Sequence, residues 1–257
     1  MDPLTLAGIA LAFLAIFGSM IMEGGSPAAL LLPAPMVLVL VGTFAVGMAG
    51  MTLPDWLFSM KQLKNAFVGK PPKGDDLVAA IVKCAETARR EGLLALELVI
   101  NDIADPLLRR GLELAIDGTD PDELAEILEA EVQASRKRGA LPAKLFESMG
   151  GYAPTIGIIG TVIGLVQVLS NLSDPGELGH MIASAFIATL WGVMTANVLW
   201  LPIGNKLKTL NEMDAARNEL VIEGVLAIQA GSNPRMVDRK LRALLPPEAA
   251  KPAAKAA

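Results

Sequence analysis

Polar side chains stand out within two long stretches that carry no Asp, Glu, Lys or Arg, residues 148–173 and 178–204. If these stretches are helices, which rise 1.5 Å per residue, Thr161 lies about 18 Å beyond Met149, and Thr189 lies about 21 Å before the end of the second stretch. Thr155 belongs to the first stretch as well. Hydroxyl groups placed this far inside an apolar helix bond backbone carbonyls of their own helix or of a neighbouring one.

The sequence contains no cluster suited to metal or nucleophilic chemistry. Cys84 is the only cysteine and His180 the only histidine, so an internal disulfide, a Cys/His zinc site and Cys–His catalysis are all excluded. The glycine-rich run at 157–164 lacks the G-x-G core and the Lys-Ser/Thr pair of nucleotide-binding loops. We therefore expect neither a cofactor nor an enzymatic activity. We interpret His180 as an interfacial residue at a helix start, with titration near neutral pH as the alternative.

Small residues and prolines in the same stretches indicate how the helices pack and bend. Small residues recur every four positions, a pattern that permits close helix contact. Pro154 and Pro202 each remove a backbone hydrogen bond and allow a bend, either as ordinary helix-end prolines or as a paired hinge. The rows of small residues are Ser184, Ala188, Gly192 and Ala196 in one stretch, and Gly160 and Gly164 in the other.

The elements that must position these residues are membrane helices. The chain of 257 residues is 53% hydrophobic and only 19% charged, with a mean hydropathy of +0.48, whereas soluble domains are roughly 25% charged. Its uncharged stretches are each long enough to cross a bilayer. The stretch nearest the N-terminus, residues 3–22, is interpreted as a retained helix and not as a cleaved signal peptide, because Asp2 stands where a signal peptide carries positive charge. The sequence predicts an all-α polytopic membrane protein with four spans at 3–22, 29–52, 149–171 and 180–202.

The basic residues predict the orientation of the spans. Of the 22 Lys and Arg residues, 13 lie between residues 53 and 147 and the other 9 between 203 and 257. By the positive-inside rule both segments, and both termini, are cytoplasmic. The predicted division is a membrane hairpin at 1–52, a cytoplasmic helical domain at 53–147, a membrane hairpin at 148–204, a cytoplasmic helical tail at 205–245 and a disordered tail at 246–257.

Helix signals divide the cytoplasmic segments further. Pro106 and Pro121 fit the first positions of two helices, the second capped by Asp120. The other expectations are an amphipathic helix at 57–67 along the membrane surface, a break at Lys70–Gly74, a helix capped by Asp75 or Asp76, a helix resuming at Leu93–Ile103 after Gly92, an interruption at Pro142, and a tail helix at 206–229 followed by a break at 231–234.

No predicted span contains Asp, Glu, Lys or Arg. Proton and cation pathways usually need an ionisable group within the membrane, because such a group can take up and release charge at a tolerable cost. If ions cross the membrane here, a partner protein must therefore supply that group.

The motifs resemble those of the MotA/PomA flagellar stator family, within the MotA/TolQ/ExbB superfamily. The resemblance covers nearly the whole chain, including the four-span order and the large cytoplasmic insert. It is carried by Tyr152–Leu165, Asn171–Pro175, Ala185–Gly192, Pro202–Leu207 and, in the cytoplasmic segment, Ala88–Glu97.

The resemblance implies a homopentamer in the bacterial inner membrane around two copies of a MotB/PomB-type single-span partner, whose aspartate binds H⁺ or Na⁺. Ion passage would turn the pentamer against the rotor protein FliG, with no nucleic acid involved. By position, Arg89, Arg90 and Glu97 match the rotor-contact segment, and Pro154 and Pro202 match the family's two functional prolines. Thr161, Thr189 and Thr155 are then expected to line the ion path, and Thr161 favours sodium.

Two other classes are weighed against this one. ExbB/TolQ-like proton-channel subunits look similar around the last two spans but typically have three spans, which the predicted hairpin at 1–52 contradicts. An enzyme or receptor with a membrane anchor would need a catalytic constellation between residues 53 and 147, where no histidine and no nucleophile motif occurs.

Overall fold

A computed structural model describes residues 4–69, 74–172 and 175–245. Within these ranges all regular structure is helical and no β-strand is present, which confirms the all-α prediction. The predicted break at 70–74 falls mostly outside the described residues, as do Asp174 and the tail at 246–257. The α-helices of the described part are α1 Leu4–Met22, α2 Pro33–Ala49, α3 Leu53–Val68, α4 Gly74–Glu91, α5 Pro106–Ile116, α6 Pro121–Ser170, α7 Pro175–Thr195, α8 Leu201–Gln229 and α9 Pro234–Leu244.

In the described part of the chain, three long apolar helices and one shorter apolar helix lie where the four spans are predicted. Among the described residues, α1, α6 and the continuous run Gly176–Gln229 are long and apolar enough to cross a membrane. The helix α2 has 17 residues, or about 25 Å, which is at the short end of what a span needs. It starts later than the predicted residue 29 because Leu32 is extended and Pro33 occupies the first turn, a position that proline favours. Four spans are consistent with this arrangement.

The chain divides into two compact units, one made of residues 1–70 and 139–210, the other of residues 71–138 and 211–257. The first unit contains the apolar helices. Its aromatic centre is Trp200, whose ring lies 5.4 Å from that of Phe44 and 6.3 Å from that of Phe146, centroid to centroid. The Trp191 side chain also donates a 2.8 Å hydrogen bond to the Leu30 carbonyl, which ties α7 to the short turn before α2.

The predicted interruption at Pro142 is wrong, because α6 runs unbroken for 50 residues through both Pro142 and Pro154. A proline inside a helix costs about 3 kcal/mol. Here the residues that follow Pro142 offset this cost by packing, since Phe146 and Met149 are fully buried in the core of the first unit. The helix therefore continues through Pro142 without a break.

The fourth predicted span and the tail helix are also joined. A single five-residue turn of wider π-helical geometry, Ala196–Trp200, connects α7 to α8. The predicted end of the tail helix at Gln229 is confirmed, and so is the break, where Gly231 has a φ of +65°. Asn233 then caps α9 by accepting a 3.0 Å hydrogen bond from the Arg235 amide.

The second unit is a helical domain around one apolar core formed by α4, α5, α9 and the adjoining parts of α6 and α8. The predicted helix starts at Pro106 and Pro121 are confirmed. Their caps are Asp105, which accepts a 2.8 Å bond from the Leu108 amide, and Asp120, which accepts a 2.9 Å bond from the Asp122 amide.

The expected helix at Leu93–Ile103 is not a regular α-helix. The helix α4 ends at Glu91, and Gly92 adopts a φ of +87°, a conformation that L side chains rarely adopt. Two short 3₁₀ segments follow, Leu93–Leu98 and Ile100–Asp102. The helix α4 itself begins at Gly74, so Asp75 and Asp76 lie within its first turn.

Candidate functional site

The helices α6 and α7 pack against each other through glycines, as the rows of small residues predict. A methyl group added at Gly157 would lie 2.8 Å from the Ala188 carbonyl oxygen, and one at Gly164 would lie 2.6 Å from the Ala185 Cβ. From the other side, a methyl group at Gly192 would lie 2.6 Å from the Ala153 carbonyl oxygen. Because real Cβ atoms do not approach neighbours this closely, the absence of a side chain at these three positions allows the two backbones to come this close.

This close approach brings Thr161 and Thr189 together. Their hydroxyl oxygens lie 2.5 Å apart, and both side chains are half-buried. The Thr161 hydroxyl also lies 3.0 Å from the Ala185 carbonyl oxygen and 3.2 Å from the Gly157 carbonyl oxygen, and the Thr189 hydroxyl lies 3.4 Å from the latter. Two hydroxyls and two carbonyls thus form one cluster of oxygens between the helices.

Thr155 does not join this cluster. Its side chain is exposed, and its hydroxyl donates a 2.7 Å hydrogen bond to the Tyr152 carbonyl of its own helix. The three threonines predicted to act together therefore separate into a pair between two helices and a single residue on the surface of α6.

The two prolines differ in their surroundings. Pro154 lies inside α6, where a methyl group added at Gly192 of α7 would come within 3.2 Å of its Cα. Pro202 is the second residue of α8 and lies two residues after the end of the wide turn, where the Leu201 amide donates to the Ala196 carbonyl. Because Pro202 has no amide hydrogen to donate, the hydrogen-bond ladder is disturbed over the whole stretch 196–202.

The wide turn at Ala196–Trp200 is not among the features predicted from the sequence. The polar residues beside it supply a signal, since short polar side chains that bond preceding carbonyls often mark bends. The buried Thr195 hydroxyl donates a 2.7 Å hydrogen bond to the Trp191 carbonyl, and the Asn197 amide donates a 2.8 Å hydrogen bond to the Val193 carbonyl.

The charged residues picked out in the second unit lie on an exposed surface. Arg89 and Arg90 are exposed in the last turn of α4, where a cation is favoured by the helix dipole. Arg90 pairs with Glu91 at 2.8 Å. Glu97 is exposed between two leucines that the sequence analysis did not single out, Leu94 at 69% and Leu98 at 84% exposure. We call Arg89, Arg90, Leu94, Glu97 and Leu98 the contact surface.

Cys84 lies in the apolar core of this unit, on α4. Burial raises the pKa of its thiol, and nearby Lys83 lowers it by a smaller amount. Because the thiolate is the reactive form, this environment suits a structural residue.

These features define a class: an all-helical integral membrane protein whose last two spans meet through glycines around a pair of threonines. A family model described as the MotA/TolQ/ExbB proton channel family matches residues 99–219. Motility protein A of Bacillus subtilis is 38% identical over 251 residues, covering 96% of this chain and 92% of that protein. Chemotaxis protein PomA of Vibrio alginolyticus is 33% identical over 242 residues, covering 94% of each.

Solved structures agree with these relatives. The structure of C. jejuni MotAB superposes with a TM-score of 0.92 at 29% identity, covering 96% of this chain and 97% of that chain. The flagellar MotAB stator complex of Bacillus subtilis gives a TM-score of 0.87 at 37% identity, covering 95% and 96%. The chain belongs to the MotA/TolQ/ExbB proton channel family and is an inner-membrane protein.

Proposed function

We propose that this chain is the stator subunit of a flagellar motor, which couples the influx of H⁺ or Na⁺ to rotation of the rotor. The observation that carries this proposal is the match along nearly the whole chain to motility proteins and to MotAB stator complexes. The match favours the stator over an ExbB/TolQ-type channel subunit, since it includes the first hairpin as well as the last two spans. The chain works as a channel and torque subunit rather than as an enzyme, and it uses no cofactor.

The partner is a MotB/PomB-type single-span protein. The four uncharged stretches of this chain contain no carboxylate, so the aspartate that binds the ion belongs to the partner. Five copies of this chain surround two copies of the partner in the proposed assembly, in contact with membrane lipid on the outside.

The ion path runs beside the oxygen cluster of Thr161 and Thr189, with Thr155 further along α6. This role is supported by the convergence of two hydroxyls and two carbonyls at one point between the helices. Oxygen groups of this kind replace part of the hydration shell of a cation. Pro154 and Pro202 act as a paired hinge, supported by the disturbed hydrogen-bond ladder at 196–202.

Both termini are placed in the cytoplasm, together with the segments 53–147 and 205–257, where all the Lys and Arg residues lie. The contact surface then faces the rotor protein FliG. Its support is the exposure of two arginines, one glutamate and two leucines on a single unit, since charges determine which partner docks and exposed apolar side chains mark an interaction site.

Charge reversal on the contact surface tests this function. In a host lacking its own stator, the unaltered chain with its partner should restore swimming, whereas Arg89→Glu or Glu97→Lys should slow swimming with the same amount of protein in the membrane. Arg136→Glu, an exposed residue on α6 outside the contact surface, is the matched control and should swim normally. Normal torque in both reversals would contradict the assignment of the contact surface, and failure of the unaltered chain would contradict the stator function.

A further inference from the structure

The contact surface rests on backbone that has little regularity of its own. Leu94, Glu97 and Leu98 belong to a 3₁₀ segment of six residues, and 3₁₀ turns have poorer hydrogen-bond geometry than α-helices. Two buried side chains, Leu96 and Ile100, attach the segment to the core. Apolar contacts are not directional, so hydrogen bonds and ion pairs next to the segment add a directional restraint on the exposed side chains.

The polar contacts that can do this occur where the segment enters α5. The Arg109 guanidinium donates a 2.7 Å hydrogen bond to the Ile103 carbonyl. Two residues later, one oxygen of the Asp105 carboxylate accepts a 2.8 Å bond from the Leu108 amide and so caps α5. Asp105 is only 7% exposed, which is unusual for an aspartate unless it is paired.

Its pair is Arg217, which belongs to α8. The Arg217 guanidinium forms an ion pair with the second oxygen of Asp105, with side-chain exposures of 29% for Arg217 and 6% for Asp105. The start of α5 is therefore held on both sides: Arg109 bonds the carbonyl at the end of the 3₁₀ segments, and the Asp105 carboxylate joins the first turn of α5 to the side of α8. Because both ions are largely withdrawn from water, losing one partner leaves the other charge uncompensated.

We infer that the Asp105–Arg217 ion pair positions the contact surface, so that torque passes between this surface and α8 through Asp105. Asp105 and Arg217 are positioning residues that do not themselves touch the rotor. This inference rests on the proposed stator function, and it adds two residues outside the contact surface to the machinery of force transfer.

The test is the speed increment that each additional stator gives to a tethered bead in cells lacking their own stator. Asp105→Asn keeps a good helix cap but removes the charge, and Arg217→Ala removes the other partner. Both variants should give smaller speed increments per stator, with normal amounts of protein in the membrane. Arg217→Lys, which keeps the charge, should give larger increments than Arg217→Ala. Arg110→Ala is the matched control. Arg110 lies on α5, the helix that Asp105 caps, and its ion pair with Glu131 is exposed.

The outcomes separate positioning from simple stabilisation. If the variants reduce only the number of stators that join the motor, with increments of normal height, the pair merely stabilises the fold and the inference is wrong. An equal loss in Arg110→Ala would also overturn it. If Arg217→Ala does not reach the membrane, Asp105→Asn decides alone. Absence of increments with the unaltered chain would instead count against the proposed function.

Discussion

At the scale of single residues, burial controls the reactivity of Cys84. Because its thiol pKa is raised by burial, the reactive thiolate is scarce in the folded protein at neutral pH. We predict that iodoacetamide labels the folded chain slowly at pH 7.5 and labels the denatured chain fast, with Cys84→Ala giving no labelling. Rapid labelling of the folded protein at this pH would contradict the prediction.

The same shift has a consequence for stability. A thiol with a raised folded-state pKa favours folding while it stays protonated, so this contribution is complete below the unfolded pKa of about 8.5. It is then lost as the pH rises through the folded pKa. The sequence alone reveals that Cys84 is the only cysteine, but its burial depends on how α4 packs, which the sequence does not specify.

For the threonines, too, only part of the arrangement can be predicted from the sequence. Their depth within uncharged stretches is predictable from helix geometry. The pairing of Thr161 with Thr189 and the separation of Thr155 are not, because they depend on the relative rotation of α6 and α7.

At the scale of elements, the contact between α6 and α7 depends on Gly192. A methyl group there would meet backbone atoms of α6 at 2.6–3.2 Å, and backbone cannot rotate away as a side chain can. We predict that Gly192→Ala destabilises the detergent-purified protein by about 1–3 kcal/mol, the typical cost of overpacking. Thermal unfolding measures this as a lower midpoint temperature.

Gly179→Ala is the matched control for Gly192→Ala. Gly179 lies on the same helix, no atom of the described residues comes within 4 Å of the added methyl group, and alanine is the better helix former. Its midpoint should be unchanged or slightly higher. Equal midpoints for the two variants would show that the glycine contact does not hold α6 and α7 together.

Helix boundaries were predictable where local chemistry decides them and unpredictable where packing does. Pro106 and Pro121 predicted the starts of two helices, and Asp105 and Asp120 cap those helices in the structure. Pro142 does not interrupt α6, because the buried Phe146 and Met149 beyond it hold the helix together. The wide turn at 196–200 belongs to the same group, since Thr195 and Asn197 mark a bend without specifying its π-helical geometry.

At the scale of the whole molecule, the fold class and the four apolar spans follow from one property of the sequence, the separation of charged from uncharged stretches. This separation also determines what the chain lacks for ion transport. In the proposed stator, a partner brings the carboxylate, and this chain contributes neutral oxygens such as those of Thr161 and Thr189. In this proposal the choice of ion depends on the partner as well as on this chain.

Swimming speed of a stator-deleted host carrying this chain and its partner measures that choice. Because Thr161 stands where the resemblance to the stator family favours sodium, and its hydroxyl belongs to a cluster with carbonyl oxygens, we predict sodium as the driving ion. Speed should rise with sodium at constant ionic strength and should persist when a protonophore is added at external pH equal to that of the cytoplasm. Thr161→Ala, which removes the hydroxyl, should require more sodium for the same speed, while Ser170→Ala, which removes a hydroxyl bonded to the Val166 carbonyl of its own helix, should not. Speed that is indifferent to sodium and abolished by the protonophore would identify the proton instead, and the Thr161 cluster would then serve only to hold α6 against α7.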